Sequence, residues 1–169
     1  MKNMNIREPL IIDEPAFLKM TRASKAYHTP WVSAPLTHQE FIDFLHRAQQ
    51  PNQKSFLVLF DNQIIGVFNL NEIVRGCFQS AYLGFYGSQS YAGKGLMSEA
   101  LKMILECAFT DLQLHRLEAN IQPGNIASSR LVDRNGFQKE GFSPRYLKIN
   151  GEWRDHERWA ITIEDWNSR

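Results

Sequence analysis

The chain is poor in cysteine and has no long apolar run. Cys77 and Cys107 are the only cysteines among its 169 residues, and they form no CxxC pair and have no His or Cys nearby at the spacing of metal ligands. The sequence therefore predicts buried free thiols, with no disulfide and no metal site. No stretch approaches about 18 uninterrupted apolar residues, and the opening residues lack the apolar core of a secretory signal. We therefore expect a soluble, cytoplasmic protein without a membrane partner.

An excess of charge of one sign is also missing. Lys and Arg total 19 against 18 Asp and Glu, which leaves a net charge of +1. This balance gives no electrostatic reason to expect direct binding of nucleic acid. Repeats and linkers rich in Pro, Gly or Ser are absent as well, and the length is typical of one domain. The sequence therefore predicts a single domain over residues 1–169.

Short patterns predict the helices and strands of the first half of the chain. Residues 13–26 favour a first helix, and Thr37, with Glu40 three positions on, forms a capping box that begins a second helix. Two runs rich in branched and aromatic residues flank the turn "DNQ" and predict an antiparallel hairpin, which "CFQSAYLGFY" continues as a third strand.

In the second half, apolar residues recur at helical spacing from residue 93 onward. The strand "HRLEANI" and the helix "NIASSRLVDR" follow, and Gly136 suits the left-handed position that ends a helix. Asn150 and Gly151 predict the turn of a last hairpin. This order of elements is neither a regular alternation of strands and helices nor all-β. It predicts an α/β protein of the α+β kind, with a mixed, twisted sheet and helices on both faces.

The segment "YAGKGLMSEAL" places two glycines where a strand passes into a helix. Such a junction presents unpaired N–H groups and the positive end of a helix dipole, which together favour an anion. An ATP-binding P-loop is excluded because Ser88 and Gly95 occupy positions that require Gly and Ser or Thr. A dinucleotide fingerprint would need Gly where Ser98 stands. A phosphate of another ligand, or glycines with a purely structural role, remain as alternatives.

Several motifs resemble those of the GNAT-superfamily N-acetyltransferases. They run through residues 55–166 as "IIGVFNLNEIVRG", "YLGFY", "GKGLMSEAL", "HRLEANIQPGNIASSRLVDRNGF" and "YLKINGEWRDH". The last of them resembles the group that acetylates ribosomal-protein alanine termini (RimJ/RimL), and the RimJ branch most. The resemblance implies the GNAT acyl-CoA N-acyltransferase fold, acetyl-CoA as co-substrate, and transfer of its acetyl group to a primary amine.

The resemblance also implies a site for acetyl-CoA. In this family the loop before the long helix cradles the pyrophosphate, and backbone groups of the preceding strand bind the pantetheine arm and polarise the thioester. Only Gly95 fits the family's loop pattern fully, and Ala92 departs from it at the position of a Gln or Arg. The cofactor-binding residues implied are Phe85, Tyr86, Gly87, Gly93, Lys94, Gly95, Leu96, Met97, Ser98, Asn125 and Ser128.

Catalytic roles follow from the same resemblance. Val132 stands where many members of the family have a tyrosine acid, whereas "NIAS" places Ser128 where the RimL-like group uses a serine. Without the resemblance, Asn125 and Ser128 would read as a helix cap and a first-turn polar residue. The base is open. The carboxylate of RimL-like enzymes aligns with Leu147, so Glu118 is the first candidate, and Asp155, His156 and a water relay are alternatives.

Cys107 as an acetylated nucleophile is disfavoured because it lies in a helix without a paired His.

The sequence narrows the identity of the acceptor only in part. Trp31 and Tyr27, between the first two helices, are candidates for the acceptor groove or for plain core packing. We expect the N-terminal alanine of a ribosomal protein as acceptor. The alternatives are a small amine or antibiotic, or a non-catalytic CoA-binding module. Monomer and homodimer are both compatible with the sequence.

Overall fold

A computed structural model describes residues 3–169. Seven strands and six α-helices lie within these residues. They are β1 (Met4–Arg7), α1 (Glu14–Ala23), α2 (Lys25–His28), α3 (His38–Ala48), β2 (Lys54–Phe60), β3 (Gln63–Val74), β4 (Ser80–Gly87), α4 (Leu96–Glu106), β5 (Arg116–Ile121), α5 (Ile126–Arg134), β6 (Gln138–Ile149), β7 (Glu152–Thr162) and α6 (Ile163–Asn167).

All strands belong to one sheet of order β1-β2-β3-β4-β5-β7-β6. Neighbouring strands are antiparallel except for β4 and β5, which run parallel. The predicted mixed sheet is thus confirmed. β1 and α6 were not predicted. β1 is an edge strand of four residues that pairs only with β2, and so short a segment carries little periodic signal.

Helices cover both faces of the sheet, as predicted. On one face α4 and α5 pack on the strands, and Leu101, Ile104 and Val132 are completely buried there. On the other face Phe17 of α1 and Phe41 of α3 lie over β2, β3 and β4. Among the described residues, this second cluster includes none from β5, β6 or β7. The sheet therefore has one face that is covered only as far as β4.

The local signals that begin and end elements are confirmed. Thr37 accepts the Glu40 amide, and the Glu40 carboxylate accepts the Thr37 amide in return. Gly136 has φ of +94°. Asn150 and Gly151 both have positive φ in the β6–β7 turn, as a tight type I′ hairpin requires. These features depend on residues close together in sequence, which is why they could be predicted.

Two predictions need correction. The first helix does not continue through residues 13–26 but is interrupted at Ser24, whose buried hydroxyl accepts the amide of Gln89. Cys77 was expected to be buried and is exposed, because it lies in the loop between β3 and β4. Cys107 is half-buried and packs against the core under α4.

The two parallel strands separate before they end. β4 and β5 pair only at Ser80–Arg116, Ala81–Leu117 and Tyr82–Glu118. Beyond these pairs β4 continues to Gly87 and β5 to Ile121, without pairing to each other. The main-chain groups along the diverging strands are therefore free to bind another molecule. We refer to this opening, between residues 83–87 and 119–121, as the splay.

Candidate active site

A cavity of about 390 Å³ lies at the end of the splay, between the end of β4 and the first turns of α4 and α5. It collects most of the residues expected to bind the cofactor or the acceptor. Its lining includes Tyr27, Trp31, Phe85, Tyr86, Gly87, Gly93, Gly95, Leu96, Met97, Ser98, Asn125 and Ser128. Residues far apart in sequence thus form one site, which we call the cofactor cavity.

The glycine loop at the mouth of this cavity has the geometry of an anion site. Gly93 and Gly95 have φ of +72° and +77°, and a side chain at either would meet no atom within 4 Å. Gly95 is the residue that precedes α4. Within the described chain, the amides of residues 93–97 donate to no main-chain carbonyl. These free N–H groups and the N-terminal end of the α4 dipole favour a phosphate group.

Two side chains of the loop contribute differently from what the sequence predicts. Lys94 does not line the cavity. Its ammonium donates to the carbonyl of Ser90 at 3.0 Å and lies 5.0 Å from the centre of the Tyr91 ring. Ser98 does line the cavity, but its buried hydroxyl accepts a hydrogen bond from the side-chain amide of Asn135 at 2.9 Å. Ser98 therefore anchors α4 to the end of α5.

β4 offers its main chain to the splay. The amide of Ser88 donates to the carbonyl of Ile65 on β3 at 2.7 Å. Because successive residues of a strand direct their main-chain groups to opposite sides, the groups of Phe85 and Gly87 are directed away from β3, into the splay. Gly87 also leaves room for Met97, whose Cγ would lie 3.3 Å from a side chain there. Apart from the Gly87 carbonyl, which the His28 ring binds, these groups could bind an extended amide-bearing arm.

Sequence reasoning missed the importance of Gly66 for this packing. A side chain at Gly66 would place its Cβ 2.6 Å from the sulfur of Met97, which is too close for any real contact. Gly66 pairs with Gly87 across β3 and β4. Two facing glycines therefore let the first turn of α4 approach the sheet. The signal was present in "IIGVFNL", where an isolated glycine interrupts a strand.

Ser128 and Asn125 meet at the start of α5. The side chain of Asn125 caps the helix by accepting the amide of Ser128 at 3.3 Å. Ser128 lies in the first turn, half-buried, on the wall of the cofactor cavity. Val132 is fully buried one turn further on and has no group that could transfer a proton. The structure thus places a hydroxyl, at a helix N-terminus, on the wall of the cofactor cavity.

Glu118 does not line the cofactor cavity. It pairs with Tyr82 where the splay begins, on the sheet face opposite α4 and α5. Arg116 donates to the Glu118 carboxylate at 2.8 Å and also binds Glu140. The Arg116 bond holds the pKa of Glu140 below its usual range. Glu118 is thus held in place by an ion pair at the point where the strands part.

A second cavity, of about 360 Å³, opens on this face and was not predicted. It is lined by Asn71, Tyr82, Leu83, Gly84, Asn120, Tyr146 and Leu147. The carbonyl oxygen of the Asn120 side chain is buried there and has no hydrogen-bond partner among residues 3–169. Burial and the neighbouring Tyr146 and Glu118 raise the pKa of Tyr82, so that its phenol stays protonated at neutral pH. The lining residues lie in the quoted motifs, Tyr146 and Leu147 in "YLKINGEWRDH", but no local pattern indicates that they meet.

The remaining candidate proton acceptors and the cysteine have other partners. His156 is buried and its Nδ1–H donates to the carbonyl of Arg154 at 2.9 Å. Asp155 accepts the amide of Arg145 at 2.8 Å, which links β6 and β7. Burial, followed by Asp111, raises the pKa of Cys107 to about 11, so that its thiol stays protonated at neutral pH. This agrees with the prediction that Cys107 is not a nucleophile.

A sheet that parts between two parallel strands, with an anion cradle at the head of the next helix, defines the class of acyl-CoA N-acyltransferases. Comparison with known proteins supports the same class. Residues 3–138 match the profile of the acetyltransferase (GNAT) domain. The chain belongs to the GNAT acetyltransferase family. It is accordingly an acetyl-CoA-dependent N-acetyltransferase, and the predicted fold, enzyme class and co-substrate are confirmed.

Individual relatives show how far the similarity extends. The chain is 38% identical over 135 residues to the [ribosomal protein uS5]-alanine N-acetyltransferase of Escherichia coli, covering 78% of this chain and 70% of that protein. It is 41% identical over 105 residues to the probable N-acetyltransferase YjcK of Bacillus subtilis, covering 62% of this chain and 58% of that protein. The match thus spans less than two thirds of the Bacillus relative.

Solved structures resemble the chain over nearly its whole length. That of Mycobacterium smegmatis RimJ in complex with CoA-disulfide superposes with a TM-score of 0.89 at 28% identity, covering 96% of this chain and 83% of that one. Among residues 3–169, no helix is long and apolar enough to cross a membrane.

Gly95→Val should weaken CoA binding about tenfold, because a branched side chain crowds the backbone approach of the pyrophosphate and removes amide hydrogen bonds. Gly76→Val is the matched control. Gly76 also has positive φ (+73°) and open space around it, but lies in the loop between β3 and β4. Calorimetric titration with CoA measures the effect. Unchanged affinity in Gly95→Val, or an equal loss in Gly76→Val, would contradict a cradle at residues 93–98.

Proposed function

We propose that the chain acetylates the N-terminal alanine of a ribosomal protein. The observation that carries this proposal is the 38% identity, over 78% of the chain, to an enzyme named for that reaction on uS5. The family establishes acetyl transfer to an amine, and the relative supplies the kind of amine. A ribosomal substrate in turn supports action in the cytoplasm. The proposal includes one catalytic domain over residues 1–169, which acts as a monomer or a homodimer.

Under this proposal the two cavities divide the reactants between them. The cofactor cavity receives acetyl-CoA, with the pyrophosphate on residues 93–98 and the pantetheine arm along residues 85–87 of the splay. The second cavity opens on the sheet face that α1 and α3 leave uncovered. The acceptor amine would enter from this face and meet the thioester through the splay. Tyr27 and Trp31 contribute to the wall of the cofactor cavity and do not line the second cavity.

The second cavity suits the first residue of a peptide better than a long side chain. Asn120 presents a buried acceptor oxygen without a partner, which an amine or a first peptide N–H could satisfy. Tyr82 and Tyr146 form an apolar wall with hydroxyl tips, and Leu147 adds apolar surface. A small residue such as alanine fits a cavity of about 360 Å³ together with the next peptide unit.

The proposed reaction requires one proton donor and one proton acceptor. Ser128 would donate to the departing thiolate, since it is the hydroxyl on the cavity wall at the start of α5. Glu118 would accept a proton from the amine, directly or through water. This role is supported by the position of Glu118, which forms the last β4–β5 pair before the splay and lies on the sheet face of the second cavity. Asp155 and His156 are weaker candidates because the β6–β7 ribbon already uses their polar groups.

The direct test uses ribosomal proteins with unblocked N-termini. The purified chain and acetyl-CoA are incubated with such a mixture, and peptide mass spectrometry locates each acetyl group. We expect acetyl on an N-terminal alanine of one or a few proteins, and none when acetyl-CoA is omitted. Acetylation confined to lysine side chains, or none on any ribosomal protein, would refute the proposed acceptor. Acetyl-CoA turnover with a small amine would then identify the other class of substrate.

A further inference from the structure

His28, the last residue of α2, contacts the strand that borders the splay. Its Nε2 lies 2.8 Å from the carbonyl oxygen of Gly87, the last residue of β4. The ring is 95% buried and packs edge-on against Tyr86 with centroids 5.2 Å apart. This contact joins residues 59 positions apart in sequence. No family motif quoted for the sequence includes His28.

The chemistry of this contact is defined by its partner. A carbonyl oxygen only accepts, so Nε2 must carry the hydrogen. Burial lowers the pKa of His28, which keeps the ring neutral at pH 7 and leaves Nδ1 as the bare nitrogen. Nδ1 has no partner within the described chain. His28 therefore binds one main-chain group of the splay, the Gly87 carbonyl. The main-chain amide and carbonyl of Phe85 and the amide of Gly87 are left for the co-substrate.

The residues after His28 reach the other side of the splay. The Gln122 side chain, just after β5, donates to the carbonyl of Pro30 at 3.4 Å. Trp31 packs on Gly124, where an added Cβ would lie only 3.1 Å from its ring. The amide of Trp31 donates back to the carbonyl of His28 at 2.8 Å, which makes the segment a compact turn. Residues 28–31 thus contact the end of β4 and the loop that follows β5.

We propose that residues 28–31 form a brace across the end of the splay that positions the β4 backbone for the pantetheine arm of acetyl-CoA. One end of the brace is the His28–Gly87 hydrogen bond, and the other is Trp31 on Gly124. Asn125 follows Gly124 directly, and Ser128 lies four positions after it, in the first turn of α5. The brace thereby also sets the distance between the thioester-binding strand and α5. His28 and Trp31 are positioning residues, which act through β4 and the loop before α5.

The inference rests on the binding of acetyl-CoA and is independent of the acceptor. It also accounts for Trp31, which the sequence left divided between acceptor groove and core packing. A brace predicts that losing the His28 bond impairs CoA binding first. Acceptor binding in the second cavity, whose lining includes neither His28 nor Trp31, should change little.

The test compares His28→Phe with His28→Gln. Phenylalanine keeps the ring packing on Tyr86 but removes the donor, whereas the glutamine amide can place an N–H near the position of Nε2. We expect His28→Phe to weaken CoA binding, measured by calorimetry, about tenfold and to raise the KM of acetyl-CoA in parallel, with the KM of the amine unchanged. His28→Gln should recover most of the affinity. His46→Phe, at an exposed position on α3, is the control.

A second variant probes the other end of the brace without unpairing a buried group. Gly124→Ala crowds the Trp31 ring and should also weaken CoA binding, by less than His28→Phe. It serves as the decisive variant if His28→Phe does not fold. The brace is refuted if CoA affinity stays at the wild-type value in the folded variants, if His28→Gln is as impaired as His28→Phe, or if the whole effect falls on the KM of the amine.

Discussion

Ser128→Ala should lower kcat by about 10²-fold, the usual contribution of a group that transfers a proton in the transition state. The thiolate of CoA must be protonated as it leaves, and Ser128 is the hydroxyl on the cavity wall in the first turn of α5. The helix N-terminus adds partial positive charge beside the developing anion. Val132, at the position of the family's tyrosine acid, is buried and aliphatic and cannot substitute for it.

The effect should be confined to the chemical step. CoA affinity should stay close to the wild-type value, because the pyrophosphate and pantetheine contacts come from other residues. Ser129→Ala is the matched control, since Ser129 is the next residue but does not line the cofactor cavity within the described chain. Steady-state kinetics with saturating amine, together with calorimetric titration of CoA, separate the two quantities. A Ser128→Ala enzyme with wild-type kcat would remove Ser128 from the mechanism.

An unblocked N-terminal alanine peptide should be acetylated more than 10²-fold faster than a peptide whose only amine is a lysine side chain. An α-amino group has a pKa of about 7.7 to 8.0 and lysine about 10.4, so neutralising the terminal amine at pH 7 costs about 3.5 kcal/mol less. The neutral fraction of the terminal amine is larger by more than 10²-fold for this reason alone. Glu118, the first candidate for the base, is already bound by Arg116.

The experiment places both peptides in one reaction at equal concentration and reads each product by mass spectrometry. One peptide has a free N-terminal alanine and no lysine, and the other has a blocked N-terminus and one internal lysine. A third arm with a polyamine or an aminoglycoside covers the small-amine alternative. Faster acetylation of lysine, or of a small amine over both peptides, would overturn the N-terminal acceptor. The acetyl-CoA assignment would stand in either case.

Much of the fold could be predicted because its signals are local. The Thr37 capping box, the Asn150 and Gly151 turn and the left-handed Gly136 each depend on a few consecutive residues. The change from strand to helical period at Gly93 and Gly95 likewise located the start of α4. Backbone conformation at such positions is restricted by the residues themselves, so the sequence by itself determined most of the elements and the glycine junction where we expect the co-substrate.

Side-chain roles were less predictable because they depend on distant partners. Lys94 was predicted to bind the co-substrate, and only the tertiary structure shows that its ammonium contacts the Ser90 carbonyl and the Tyr91 ring and does not line the cavity. Glu118 could be placed on one face with Asn120 by alternation, yet its ion pair with Arg116, and its position on the opposite face from Ser128, needed the sheet.

The second cavity and the brace were decided by the tertiary structure alone. Tyr82 and Tyr146 come from strands that are not neighbours in the sheet order, and His28 and Gly87 are 59 positions apart. No local propensity specifies such contacts. They follow from the register of the strands and from how far β4 and β5 separate, which many packing interactions determine together. The sequence by itself determined the local elements and the glycine junction, whereas the fold decided which distant side chains lie together and on which face of the sheet.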